Sequence, residues 1–277
     1  MRFLDLPREY VKKDSVFGIL PIAYEKSATY GKGASKGAEE IIKASKHLEY
    51  YDERTGTEPF GLGIHTSPVL RLSRKSPKEA IAGITKAHAA MKSEFIVTLG
   101  GDHAVTLGAV QSHKGPFSVL VLDAHADYRY SWNGSQLNHA CVGRRIAAKH
   151  SIGVVGVRSL DKDEHEALLK DSNMHILSSY DYTQNRLIEM LAKLEENVYL
   201  SIDVDVFDPS FIRNTGTPEP GGLFWEDVMQ ILQVVFSNRT VIGADIVEFA
   251  PQENYRAEAY ALAKLCYRMM ALKAKTR

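Results

Sequence analysis

Hydrophobic and polar positions along the chain alternate between two regimes. Short runs rich in Val, Ile and Leu separate longer stretches in which apolar residues recur with helical period. The runs fall at 16–22, 95–99, 118–122, 152–157, 174–177, 198–202 and 241–247. They are apolar on both faces, so each needs cover on both sides, as in a parallel sheet between two layers of helices. The helical stretches lie at 34–46, 78–92, 138–149, 161–170, 184–196, 225–236 and 256–273. Strand and helix in alternation predict an α/β fold, a three-layer α/β/α sandwich. No repeat, low-complexity tract or long linker interrupts the pattern, and residues 1–277 are read as one domain.

Composition narrows the partners. Lys plus Arg number 34 and Asp plus Glu number 34, a formal charge of zero that argues against a basic nucleic-acid footprint. No apolar run approaches the roughly 20 residues of a membrane span. The N-terminus interleaves Arg2, Asp5, Arg8, Glu9, Lys12 and Lys13 with its apolar residues and lacks the core of a signal peptide. A cytoplasmic protein without nucleic-acid or membrane partners is therefore expected. Cys141 and Cys266, the two cysteines, stand far apart and suggest neither a disulfide framework nor a thiolate zinc site.

Candidate chemistry collects where strands should end. The run 118–122 leads into Asp123-Ala124-His125-Ala126-Asp127, with ligand-type residues at every second position. In extended chain that spacing sends all three to one side, and the alanines leave room for an ion. The run 198–202 leads into Asp203-Val204-Asp205, and 95–99 into Gly100-Gly101-Asp102-His103. Four carboxylates gathered at a buried sheet end repel one another and lose hydration, so they call for cations. Asp123, Asp127, Asp203 and Asp205 carry four negative charges, which two divalent ions balance. Carboxylate and imidazole without thiolate suit Mn(II), with Fe, Co, Ni or Zn as substitutes. For Asp102 and Asp208 a turn or helix-cap role is the simpler reading. Gly31-Lys32-Gly33-Ala34-Ser35-Lys36-Gly37-Ala38 fits no phosphate-loop or dinucleotide spacing and reads as a flexible turn.

The segments GGDH (100–103), DAHAD (123–127), SIDVDVFDPS (201–210), GTPEPGG (216–222) and VEFAP (247–251) together resemble the ureohydrolases, the arginases and agmatinases. The resemblance implies an eight-stranded parallel sheet, one strand more than the pattern yields, and a homo-oligomer, a trimer or hexamer. It implies two Mn2+ ions, one on His103, Asp123, Asp127 and Asp203, the other on His125, Asp123, Asp203 and Asp205. It makes Asp127 part of the catalytic centre, His139 the proton carrier to the leaving amine, and Glu248 the carboxylate that holds a substrate guanidinium by parallel N–H bonds. The implied reaction is attack of a metal-activated hydroxide on the guanidinium carbon, releasing urea and an amine. Arginases follow the metal motif with a loop rich in Ser, Thr and Asn, whereas residues 128–136 here are YRYSWNGSQ. That departure favours agmatine, giving putrescine and urea, with an aromatic face for the distal ammonium. Arg129 keeps guanidinobutyrate as an alternative, beside an arginase-type activity and a non-catalytic member of the fold.

Overall fold

The computed structural model describes every residue except Ser27 and Asn254. In chain order the elements are β1 (Phe17–Ala23), α1 (Gly37–Ser45), β2 (Ile64–Thr66), β3 (Leu70–Arg71), α2 (Pro77–Ala89), β4 (Phe95–Leu99), α3 (Val105–Val110), β5 (Ser118–Leu122) and α4 (Val142–Ala147). They continue with β6 (Ile152–Val157), α5 (Lys162–Leu168), β7 (Met174–Ser178), α6 (Gln184–Leu191), β8 (Asn197–Asp203), α7 (Trp225–Asn238), β9 (Thr240–Val247) and α8 (Arg256–Lys275). Every strand pairing is parallel, in the order β2-β1-β4-β9-β8-β5-β6-β7, with β3 beside β1.

The seven predicted runs are the seven longer strands. The sheet holds nine, because β2 and β3 share the edge beside β1, at Phe17–Ile19 and at Ile22–Ala23 respectively. Strands of three and two residues leave no hydrophobic period to read, and pairing alone defines them. Helix α3 is also new. All six of its residues are buried, so it has no polar face to betray a period of 3.6. The stretch expected at 138–149 divides into a 3-10 turn, His139–Cys141, and the shorter α4.

Strand side chains alternate between two cores. Leu120 and Leu122 of β5 join the core under α1, α6, α7 and α8, while Val119 and Val121 join the core under α2, α3 and α4. Each fully buried Leu, Ile or Val stabilises the fold by about 1.5–3 kcal/mol in transfer terms. Among the described residues no helix is long and apolar enough to cross a membrane.

The topology places the candidate chemistry. In sequence the chain passes from β4 to β5, but in space β9 and β8 lie between them. Ligands of parallel sheets bind at the carboxyl ends of strands where the order reverses. The four central strands β4, β9, β8 and β5 lead into His103, Glu248, Asp205 and Asp123.

Candidate metal centre

Local backbone devices bring the side chains together. A Cβ on Gly101 would stand 1.6 Å from the carbonyl oxygen of Tyr24, so only glycine lets the chain pass there. That same carbonyl accepts the Asp102 N–H at 2.9 Å. Asp102 Oδ1 accepts the Ala104 N–H at 3.1 Å and Oδ2 that of Lys26 at 2.9 Å, so the turn role expected of Asp102 holds. Asp208 likewise accepts the Ser210, Gly221 and Gly222 N–H groups. Two residues of the candidate site, Asp127 (φ 47°) and Glu248 (φ 64°), adopt left-handed backbone, a conformation costly for non-glycine residues and concentrated at functional sites.

The six expected ligands converge. His103 Nδ1 lies 3.3 Å from Asp123 Oδ2, 3.0 Å from Asp127 Oδ2 and 3.3 Å from Asp203 Oδ2. His125 Nδ1 lies 2.9 Å from Asp205 Oδ2 and 3.6 Å from Asp123 Oδ1. Two groups with metal-holding spacing result, His103 with Asp123 and Asp127, and His125 with Asp123 and Asp205, and Asp123 is common to both. Asp203 faces the first group through Oδ2 while its Oδ1 accepts the Asp205 N–H at 2.9 Å.

Electrostatics show what this cluster can hold. Burial opposes charge on Asp203, and Asp205 and Asp123 oppose it further, so its pKa stands well above the carboxylate range. Burial, then Asp123, pushes Asp127 up to about 7. His103 and His125 are desolvated too, yet their carboxylate neighbours prevail and raise both, His125 to about 12. His103 Nδ1 is buried, faces three carboxylate oxygens, and makes no hydrogen bond of acceptable geometry among the described residues. A lone pair held this way, among hard oxygen donors, fits a divalent cation of the Mn(II) type.

Two hydrogen-bonded supports went unread in the sequence. His103 Nε2 lies 3.1 Å from Ser201 Oγ, which donates to Asp245 Oδ1 at 2.6 Å, and the Tyr199 hydroxyl donates to Asp245 Oδ2 at 2.9 Å. All four are essentially inaccessible to solvent. A proton on Nε2 then leaves Nδ1 free as ligand. Arg158 donates to the carbonyls of Gly156, Asp205, Val206, Phe207, Glu219 and Pro220, tying the 219–220 segment to the Asp205 loop.

A cavity of about 230 Å³ opens over the cluster, lined by His125, Asp127, Asp203, Asp205, His139, Glu248, Thr29, Arg129, Trp132, Asp161 and Glu164 among others. His139 Nε2 lies 3.0 Å from Thr29 Oγ1, and burial, reinforced by His103 and His125, lowers its pKa to about 4. Glu248 Oε1 accepts the His103 N–H at 2.6 Å, so one of its two oxygens already has a donor. Of the aromatic residues in the 128–136 loop, Trp132 lines the cavity, whereas Tyr128 is buried and Tyr130 is exposed. Arg129 does not offer its charge to the cavity freely, because Asp161 and Glu164 hold it. The glycine-rich segment at 31–38 is not the flexible turn expected: it passes through a 3-10 turn, Ala34–Lys36, into the start of α1, and its Gly33 and Ser35 N–H groups donate to Glu25.

The model of the arginase family matches residues 15–271. This chain belongs to the arginase family. It is 34% identical over 296 residues to the N(1)-aminopropylagmatine ureohydrolase of Synechocystis sp., covering 97% of this chain and 95% of that protein. It is 33% identical over 280 residues to the agmatinase of Pyrococcus horikoshii, covering 98% and 96%. Among solved structures, the agmatine ureohydrolase of Thermoplasma volcanium superposes with a TM-score of 0.88 at 27% identity, over 97% of this chain and 94% of that one. The proclavaminate amidino hydrolase of Streptomyces clavuligerus, at 21% identity, shares the fold with a TM-score of 0.88, over 100% and 97%. The arginase-like sandwich and the ureohydrolase resemblance carried by the motifs therefore hold for this chain.

Proposed function

We propose that this chain, as one ureohydrolase domain over residues 1–277, hydrolyses agmatine to putrescine and urea with two divalent cations, Mn(II) being the expected pair. The supporting observation is the convergence of four carboxylates and two imidazoles, from the ends of the central strands β4, β8 and β5, with Glu248 from β9 between them, around one cavity. His103, Asp123, Asp127 and Asp203 would hold one ion, and His125, Asp123, Asp203 and Asp205 the other. When bound, such a pair would lower the pKa of water toward about 7 and so supply a nucleophile at neutral pH.

The protein's own groups do the rest. Glu248 holds the substrate guanidinium, using Oε2 and the remaining lone pair of Oε1, and orients its carbon toward the cluster. His139 lines the cavity, and its imidazole carries a proton to the departing amine. Asp161 and Glu164 outweigh the single charge of Arg129 at the outer cavity, and the remaining negative charge suits an ammonium. The same acids hold Arg129, which removes the cation that guanidinobutyrate's carboxylate would need.

A second reading is N(1)-aminopropylagmatine as substrate, favoured by the name of the Synechocystis relative. Urea release after Mn(II) loading, from agmatine, N(1)-aminopropylagmatine, guanidinobutyrate and arginine, decides between them. The highest kcat/KM is expected with agmatine. A higher value for arginine or guanidinobutyrate would end the guanidino-amine reading altogether.

A further inference from the structure

The outer half of the cavity is built around a cation that belongs to the protein itself. Arg129 Nη1 lies 2.6 Å from Asp161 Oδ2 and Nη2 lies 3.6 Å from Glu164 Oε2. The guanidinium carbon stands 4.5 Å from the centroid of the Trp132 ring. All four residues line the cavity that Asp127, Asp203 and Glu248 also line. The two acids are fixed in place. Asp161 Oδ1 accepts the Glu164 N–H at 2.8 Å, Glu164 Oε2 accepts the Asp161 N–H at 3.4 Å, and Glu164 Oε1 accepts the Tyr128 N–H at 3.0 Å. This reciprocal cap at the start of α5 aims both carboxylates before any ligand arrives. Two carboxylates and an indole face form a cradle for a cation, and Arg129 fills it.

We propose that Arg129 sets how many ammonium groups a substrate carries beyond its guanidinium. The proposal rests on the guanidino-amine ureohydrolase reading. One guanidinium against two carboxylates leaves a single negative charge at the mouth. That matches agmatine, which has one distal ammonium. N(1)-aminopropylagmatine has two amines beyond its guanidinium, and the second meets the Arg129 charge on an already occupied indole face. Discrimination thus comes from a repulsive group placed against the longer compound rather than from added contacts to the shorter one. Without Arg129 the cradle carries two negative charges and a bare indole, the complement of a dication.

The test is kcat/KM for both compounds, by urea release, in wild type, Arg129→Gln and Arg129→Lys. Arg129→Gln is expected to raise the ratio of N(1)-aminopropylagmatine to agmatine by about fivefold or more, the scale of one partly exposed charge interaction. Arg129→Lys keeps the charge and is expected to stay within about twofold of wild type. A smaller rise or a fall in Arg129→Gln, or the same rise in Arg129→Lys, overturns the proposal. Should Arg129→Gln fail to fold, Asp161→Asn carries the test, since Asn still caps the helix. It is expected to raise KM for agmatine by about threefold or more while kcat changes less than about twofold, and an unmoved KM overturns the proposal. Urea from neither compound in the wild type refutes the substrate reading itself. Urea from both with an unshifted ratio refutes only the role of Arg129.

Discussion

His125 is the most exposed member of the cluster, facing Asp205 and Asp123, and its removal separates a two-ion centre from a one-ion centre. His125→Asn is expected to bind one Mn(II) per chain instead of two and to lose most urea release; a full rate with two ions bound would end the assignment. Asp245 tests the support behind His103. Asp245→Asn keeps the shape but removes the charge that draws the Ser201 hydroxyl, and so the proton on Nε2, away from the ligand nitrogen. Mn(II) affinity by isothermal titration is expected to fall about 10- to 100-fold, with the metal-free melting temperature nearly unchanged. At this scale the expected ligands were legible because Asp-x-His-x-Asp and Asp-x-Asp after apolar runs have few other uses. The Asp245 support was not, because an Asp inside a strand pattern announces no partner, and Ser201 lies 44 positions away. The left-handed turns at Asp127 and Glu248 were equally hidden, since neither residue is a glycine.

Elements are held in register by a few buried contacts as well as by the apolar cores. Helix α8 is pinned to the turn before β2 by Arg268, whose Nε lies 2.6 Å from Asp52 Oδ2 with both side chains 3% exposed or less. Arg268 also reaches Glu53 at 3.1 Å. Arg268→Ala strands the Asp52 carboxylate in the interior, and a loss of about 3–5 kcal/mol in urea unfolding is expected. Replacing both partners by apolar residues should recover much of it, a result that a purely cavity-based loss would not give. The longer strands could be placed from hydrophobic period alone because covered parallel strands are continuous apolar runs. Elements shorter than one period, β2 and β3, carried no such signal, and α3, buried all round, carried an ambiguous one. Arg129, Asp161 and Glu164 show the limit from another side. Each was visible as a charge, but their meeting depends on how the loop after β5 lies against the start of α5.

Across the whole molecule, two buried histidines far from the site add to its acid lability. Burial lowers His88 to about 3, with His113 adding to the effect, and burial lowers His113 to about 4. Their rings lie 5.1 Å apart, His88 on α2 and His113 on the turn after α3. Both are neutral in the folded chain at pH 5, whereas the unfolded chain protonates them below its ordinary value near 6.5. The stability they support is thus present above pH 6.5 and is lost as the pH falls toward 4. Between pH 7 and 5 each contributes a loss of about 2 kcal/mol. His113→Gln is expected to reduce the stability difference between the two pH values by about 2 kcal/mol in urea unfolding. An unchanged difference would place the acid lability elsewhere.

The last strand of the chain occupies the middle of the sheet. β9 begins only at Thr240, yet it pairs with β4 on one side and β8 on the other. Until it is made, the emerging protein carries a slot one strand wide, with two open edges able to capture any free strand. The residues that would grip the ions stand on the two banks of that slot, and Glu248 arrives with the strand that closes it. A chain cut short by its final two elements therefore loses more than a tail. It keeps all six expected ligands and most of its mass, but with the halves of its centre unbridged, and it is exposed to aggregation for as long as the gap lasts.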